Sequence, residues 1–129
     1  MSHPIHNITL SVGDVDRSVA WYQAVFGPAD IVGREGDGWK RTRMTWPALD
    51  DLRIAVMSHD DAPEGRFSRT NRGLDHLGFD CATAAEVEAW ASKLDALGLE
   101  RGPLEDVQYG WVVTARDPDN IPIEFFCGK

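Results

Sequence analysis

Two of the chain's four histidines, His6 and His76, stand in the same place in two similar stretches of sequence. A neutral imidazole is a ligand for divalent ions and a general base near neutral pH. His3 lies in a ragged N-terminal stretch and His59 in a polar loop, so both are expected in solvent. Glu124 sits in Ile121-Pro122-Ile123-Glu124-Phe125-Phe126, the most apolar strand end in the chain. A carboxylate there is costly if it faces an apolar core unpaired. It is either a solvent-facing edge residue or, in a cleft, a metal ligand or general base. Two imidazoles and one carboxylate make a three-ligand site with open positions, suited to one divalent Fe, Mn, Zn or Ni ion. Such an ion can polarise a carbonyl, bind an enolate or hold dioxygen. Cys81 and Cys127 are the only cysteines and form no C-x-x-C pair. They read as small buried residues rather than as a zinc site or a disulfide framework.

Two further groups have residue types that fit a ligand. Trp111, Phe126 and Tyr109 are candidates for an apolar substrate pocket, against the plainer reading that strand aromatics fill a core. Arg66, Arg69 and Arg72 recur every third residue in a loop. They suit a carboxylate or phosphate, although solubilising the loop is the simpler account.

The elements that must carry these residues follow from periodicity. Residues 5–12 alternate, with His6, Ile8, Leu10 and Val12 on one face, and predict a half-buried strand. Asp14 and Asp16 offer capping oxygens to a helix over residues 17–26, with a Val15-Val19-Tyr22-Phe26 stripe and Gly27 as its stop. Strands are expected at 29–34, 39–45 and 52–57, then a polar surface loop at 58–73. A strand at 74–81 precedes the capping-box spacing Thr83…Glu86 and a helix through Val87, Trp90, Leu94 and Leu97. Further strands are expected near 99–101, 111–115 and 121–126, the last two joined by the turn Asp117-Pro118-Asp119-Asn120.

The two stretches repeat. His6 precedes Trp21 by 15 residues and His76 precedes Trp90 by 14. The pattern predicts an α+β chain of two βαβββ modules, about residues 1–57 and 74–129. A length of 129 residues suits one domain. With 13 basic against 21 acidic residues the net charge is −8, which argues against nucleic acid as a partner. No apolar run reaches membrane-spanning length and no signal-peptide pattern opens the chain, so a cytoplasmic protein with no membrane partner is expected.

His6-Asn7-Ile8-Thr9-Leu10, Val19-Ala20-Trp21-Tyr22…Phe26-Gly27, Asp75-His76-Leu77-Gly78-Phe79 and Asp117-Pro118-Asp119-Asn120 followed by Glu124 together resemble the vicinal oxygen chelate superfamily. That superfamily holds glyoxalase I, extradiol dioxygenases, fosfomycin-resistance enzymes and bleomycin-binding proteins. The resemblance implies its glyoxalase/dioxygenase-like fold, with barrel-like clefts completed by dimerisation. It implies His6, His76 and Glu124 as ligands of one divalent ion, Glu124 as the catalytic carboxylate, and a small oxygen-chelating substrate. It also implies a homodimer whose sites combine module one of one chain with module two of the other. Some members carry a fourth ligand late in module one, but Arg53, Ile54, Ala55 and Val56 fill that window, which disfavours a four-ligand lyase or epimerase. The histidine and tyrosine of the extradiol dioxygenases are missing: Thr114 stands at the tyrosine position. The lysine and serine of the fosfomycin enzymes have no counterparts in 102–109. The expected function is a metal-dependent enzyme of this type, the alternative a metal-free ligand-binding or antibiotic-sequestering resistance protein.

Overall fold

A computed structural model describes residues 3–129. The chain forms two compact units, the first ending at Gly65 and the second starting at Arg66. The first contains β1 (Ile8–Ser11), α1 (Val15–Phe26), β2 (Asp30–Gly36), β3 (Trp39–Trp46) and β4 (Leu52–His59). The second contains β5 (Leu77–Asp80), α2 (Ala84–Ala96), β6 (Glu105–Val107), β7 (Gly110–Arg116) and β8 (Pro122–Gly128). Each unit folds into a four-stranded mixed sheet, ordered β1-β4-β3-β2 and β5-β8-β7-β6. The first strand of each unit runs parallel to the last, and the other pairs are antiparallel. This is the α+β architecture of two βαβββ modules.

Local chemistry sets the helix ends. Asp14 caps α1 by accepting from the Arg17 amide at 3.1 Å, and Gly27 leaves the helix at φ 92°, which only glycine adopts without strain. Thr83 caps α2 by accepting from the Glu86 amide at 3.2 Å. The Glu86 carboxylate reaches back to the Ala82 amide at 2.8 Å, one residue beyond the cap itself. Asp117 is buried and its Oδ1 accepts from the Asp119 and Ile121 amides, at 2.9 and 2.8 Å, which fixes the turn into β8.

Several elements differ from the periodicity. The buried stripe of α1 is Val15, Ser18, Trp21, Tyr22 and Val25, rotated from the expected Val19 and Phe26. Ser18 is small and fully buried, so the helix lies close to its sheet along that line. On α2 the buried residues are Val87, Ala91 and Leu94. Leu97 lies past the helix end, exposed, while Trp90 stacks on Phe125 with ring centroids 4.1 Å apart. Residues 99–101 are not a strand: Arg101 makes only an isolated bridge to Ala115, and the edge strand is the short polar β6. Strand β4 runs on to His59, opposite Trp39, so the loop starts later than its polarity suggests. Pairing with β3 supplies backbone hydrogen bonds whatever the side chains there.

The core of each unit lies between its helix and one sheet face. Met44, Trp46, Ile54 and Val56 fill that face in the first unit; Val113, Ala115, Ile123 and Phe125 fill it in the second. The opposite face of each sheet carries no helix of its own unit, and the candidate chemistry lies there.

Candidate functional site

Strand register fixes which residues of the two units correspond. Ile8 pairs with Ile54, and Leu77 with Ile123. Ile8, Leu10 and Val12 turn to the helix in the first unit, as Leu77, Phe79 and Cys81 do in the second. The caps Asp14 and Thr83 and the buried helix positions Ser18/Val87, Tyr22/Ala91 and Val25/Leu94 keep the same offset of 69 residues. Trp21 and Trp90 are also 69 apart, whereas the two histidines are 70 apart. His76 therefore corresponds to Asn7, and His6 to Asp75. The equivalence expected from spacing is off by one residue, and in a strand one residue is a change of face. Glu124 corresponds to Ala55, so no carboxylate stands in its place in the first unit.

In the second unit the pleat puts His76, Gly78, Glu124 and Phe126 on the open face, with Gly78 paired to Glu124. Gly78 carries no side chain, so nothing from β5 stands between the imidazole and the carboxylate. His76 Nδ1 lies 2.8 Å from Asp75 Oδ1 and donates its proton there. The other ring nitrogen, Nε2, faces Glu124 Oε2 at 3.7 Å and is the ligating atom when the imidazole is neutral. Two donors each about 2.1 Å from one ion and about 110° apart lie about 3.4 Å from each other. The observed spacing is close to that, and the carboxylate behind the imidazole is the outer-sphere partner that fixes tautomer and ring orientation in metal sites. His76 and Glu124 therefore fit a divalent ion. The Glu124 side chain is only 27% exposed.

His6 is exposed, and its Nδ1 donates to Asn7 Oδ1 at 3.0 Å. Asn7 in turn donates from Nδ2 to Thr9 Oγ1 at 2.7 Å, along the open face of β1. Within either unit, among the described residues, no three His, Cys, Asp or Glu side chains gather at metal-ligand spacing.

The aromatic trio does not share one surface. Phe126 lies on the face of Glu124, with the Tyr109 ring 6.0 Å away and largely in solvent. Trp111 pairs with Cys127 and so lies on the other, helix-bearing face, with Lys129 Nζ 4.9 Å from its ring centroid. The backbone at Gly110 packs against Phe126 so closely that an added Cβ would meet its ring at 2.5 Å. Burial raises the pKa of the Cys81 thiol, and the nearby Glu86, Cys127 and Asp80 push it the same way, so this cysteine stays a thiol at neutral pH.

A set of arginines forms no contiguous motif in the sequence. Arg34, Arg41, Arg43 and Arg53 all lie on the open face of the first sheet. Their signal is an every-second-residue spacing in Arg41-Thr42-Arg43, hidden because Arg34 and Arg53 come from other strands. Arg66, Arg69 and Arg72, in contrast, lie in the connecting segment outside both sheets.

The chain thus duplicates a βαβββ module and sets an imidazole and a carboxylate side by side on one open sheet face. The chain belongs to the Glyoxalase/Bleomycin resistance protein/Dioxygenase superfamily, whose family model matches residues 4–125. The uncharacterized protein PA2024 of Pseudomonas aeruginosa is 28% identical, covering 100% of this chain and 91% of that protein. A glyoxylase/bleomycin resistance protein/dioxygenase domain from Frankia sp. EAN1pec superposes with a TM-score of 0.86 at 27% identity, covering 100% of this chain and 94% of that one. The fosfomycin resistance protein FosX from Listeria monocytogenes, solved with Mn(II) and a sulfate ion, shares the fold: TM-score 0.70, 23% identity, 100% and 95% coverage.

Proposed function

We propose that this chain is a divalent-metal-dependent enzyme of the glyoxalase/dioxygenase-like type, acting on a small organic substrate that chelates the ion through oxygen. The observation that carries the reading is the Asp75–His76–Glu124 arrangement, in which a hydrogen bond to Asp75 turns a lone pair of His76 towards a half-buried carboxylate. A bound ion would polarise the substrate oxygen there. Asp75 holds the imidazole in its ligating tautomer, Glu124 supplies anionic charge and can accept a proton, and Phe126 offers an apolar surface beside them. The ion is Fe, Mn, Zn or Ni. Two chains pair in the cytoplasm, and module one of one copy covers the His76–Glu124 face of the other; His76 and Glu124 are the protein's donors to the ion, and the substrate's oxygen atoms fill its open positions.

The test is metal analysis of untagged protein, with Mn(II) titration followed by electron paramagnetic resonance. A stoichiometric ion lost in His76→Ala is the expected result; no binding by the parent protein after reconstitution refutes the reading. A second reading, a metal-free ligand-binding or antibiotic-sequestering protein, is favoured by one observation. Asn7 and Ala55 stand where the repeat of His76 and Glu124 falls, so the first unit repeats neither donor. Absence of metal with tight binding of an aromatic ligand would support it.

A further inference from the structure

We infer that the open face of the first sheet is a binding site for the oxyanion group of a ligand, a carboxylate, phosphate or phosphonate, held by Arg41 and Arg43 with Arg34 and Arg53 flanking them. Arg34 pairs directly with Arg41, Arg43 follows Arg41 on the same face of β3, and Arg53 stands diagonal to Arg43 on β4. Like charges set directly opposite one another destabilise a sheet, so four adjacent guanidiniums have an electrostatic cost that the fold itself does not require. The chain has 21 acidic residues to set against them. Yet among the described residues none of the four makes an ion pair with a carboxylate. Elsewhere the protein does pair its bases: Lys40, on the helix-side face of the same strand, meets Asp16 at 3.0 Å, and Arg101 meets Asp95 at 2.8 Å.

The second, independent observation is at Arg43. Its Nε is shut off from solvent and donates to no acceptor. Buried donors are satisfied as a rule, and an unsatisfied one calls for a ligand or water. Opposite Arg43 in register stands Ala55, a small side chain where the second unit has Thr114 facing Glu124. The methyl group offers Arg43 no acceptor of its own, so an oxyanion that pairs with Nε has to displace the side chains that now cover it. A planar oxyanion matches that edge, taking parallel bonds from Nε and one Nη.

The site needs no metal, so it is tested with EDTA present. Its failure is thereby kept separate from failure of the metal reading. Calorimetric titration with inorganic phosphate, methylphosphonate and benzoate at 0.15 M NaCl is expected to show saturable binding of at least one of them. Arg43→Gln and Arg41→Gln should each weaken that binding at least tenfold, and Arg43→Lys, which keeps charge but not the fork, should weaken it by an intermediate amount. The loop variant Arg66→Gln/Arg69→Gln/Arg72→Gln should change it less than twofold. Circular dichroism and melting temperature confirm folding, and the two Gln variants of the sheet should melt no lower than the parent because like charge is removed. Absence of saturable binding for all three probes overturns the inference. So does equal loss in the loop variant, which would mean a diffuse field rather than a built site.

Discussion

Glu124→Gln separates a ligand from a merely half-buried carboxylate, because the two roles predict opposite changes in stability. The side chain is 27% exposed, and its oxygen stands 3.7 Å from His76 Nε2, too far for a strong hydrogen bond. Without metal, replacing it with a nearly isosteric amide removes a partly desolvated charge and leaves the melting temperature equal or slightly higher. With metal the sign reverses. At an ion concentration 100 times the dissociation constant, binding stabilises the native state by about 2.7 kcal/mol. For 129 residues melting as one unit the unfolding entropy is about 0.27 kcal/mol/K, so the parent gains about 10 °C. Loss of outer-sphere partners alone weakens metal sites 10–100-fold. A 100-fold loss from removing the anionic ligand leaves about 0.4 kcal/mol at the same ion concentration, or about 1.5 °C. Differential scanning calorimetry with EDTA or Mn(II) reads all four values. Equal metal-induced shifts in parent and variant would refute the assignment of Glu124 as a ligand.

Three further expectations rest on other parts of the molecule. His6→Ala should leave metal affinity within twofold of the parent, whereas Asn7→His, placing an imidazole at the register position of His76, should tighten Zn(II) binding; loss of metal in His6→Ala with no change in Asn7→His would overturn the register argument. Because the native pKa of Cys81 is raised, the native state holds the thiol proton more firmly, so its stabilising contribution is complete below the unfolded cysteine pKa of about 8.5 and disappears as pH rises through the native value. Chemical denaturation between pH 7 and 10 should therefore show a decline that Cys81→Ala reduces, and an unchanged slope would remove Cys81 as its cause. Asp117→Ala strips the acceptor from two buried amides and should cost about 2–4 kcal/mol in urea denaturation; a loss below about 0.5 kcal/mol would show that water replaces the carboxylate.

Strand faces, helix caps and turns were legible because each follows from a local rule. Asp14 and Thr83 cap, Asp117 organises its turn, and Glu124 shares a face with Phe126 as alternation requires. Register was less legible, because two histidines invite alignment by type while packing aligns Ser18 with Val87 and Trp21 with Trp90. The histidine-to-tryptophan spacings of 15 and 14 residues hold the single-residue offset, and the burial pattern of both helices and the pairing of both parallel strands decide which residue pair it applies to. Of the two readings open to Trp111, pocket or core, strand parity favours the core, because odd positions of β7 point to the helix. The short β6 was missed since Glu105-Asp106-Val107 holds no alternation to detect, and its pairing with β7 is an effect of the turn at Gln108-Tyr109.

The two units share a backbone plan and differ where packing leaves them free to do so. On the helix-facing side, corresponding positions hold similar residues: Leu10 and Phe79, Ile54 and Ile123, Val25 and Leu94. Each is held there by burial, and exchanging one for a polar group would cost several kcal/mol. On the open side the correspondences are Asn7 with His76, Thr9 with Gly78 and Ala55 with Glu124, while Arg43 and Thr114 take matching places beside the last pair. Two of these, Ala55 with Glu124 and Arg43 with Thr114, exchange charge for neutrality. The second unit gathers an oriented imidazole and a carboxylate, a donor set for a cation. The first gathers guanidiniums, an amide and a hydroxyl, a donor set for an anion. A variant of the arginine face should therefore leave metal binding unchanged, and a variant of His76 or Glu124 should leave phosphate binding unchanged.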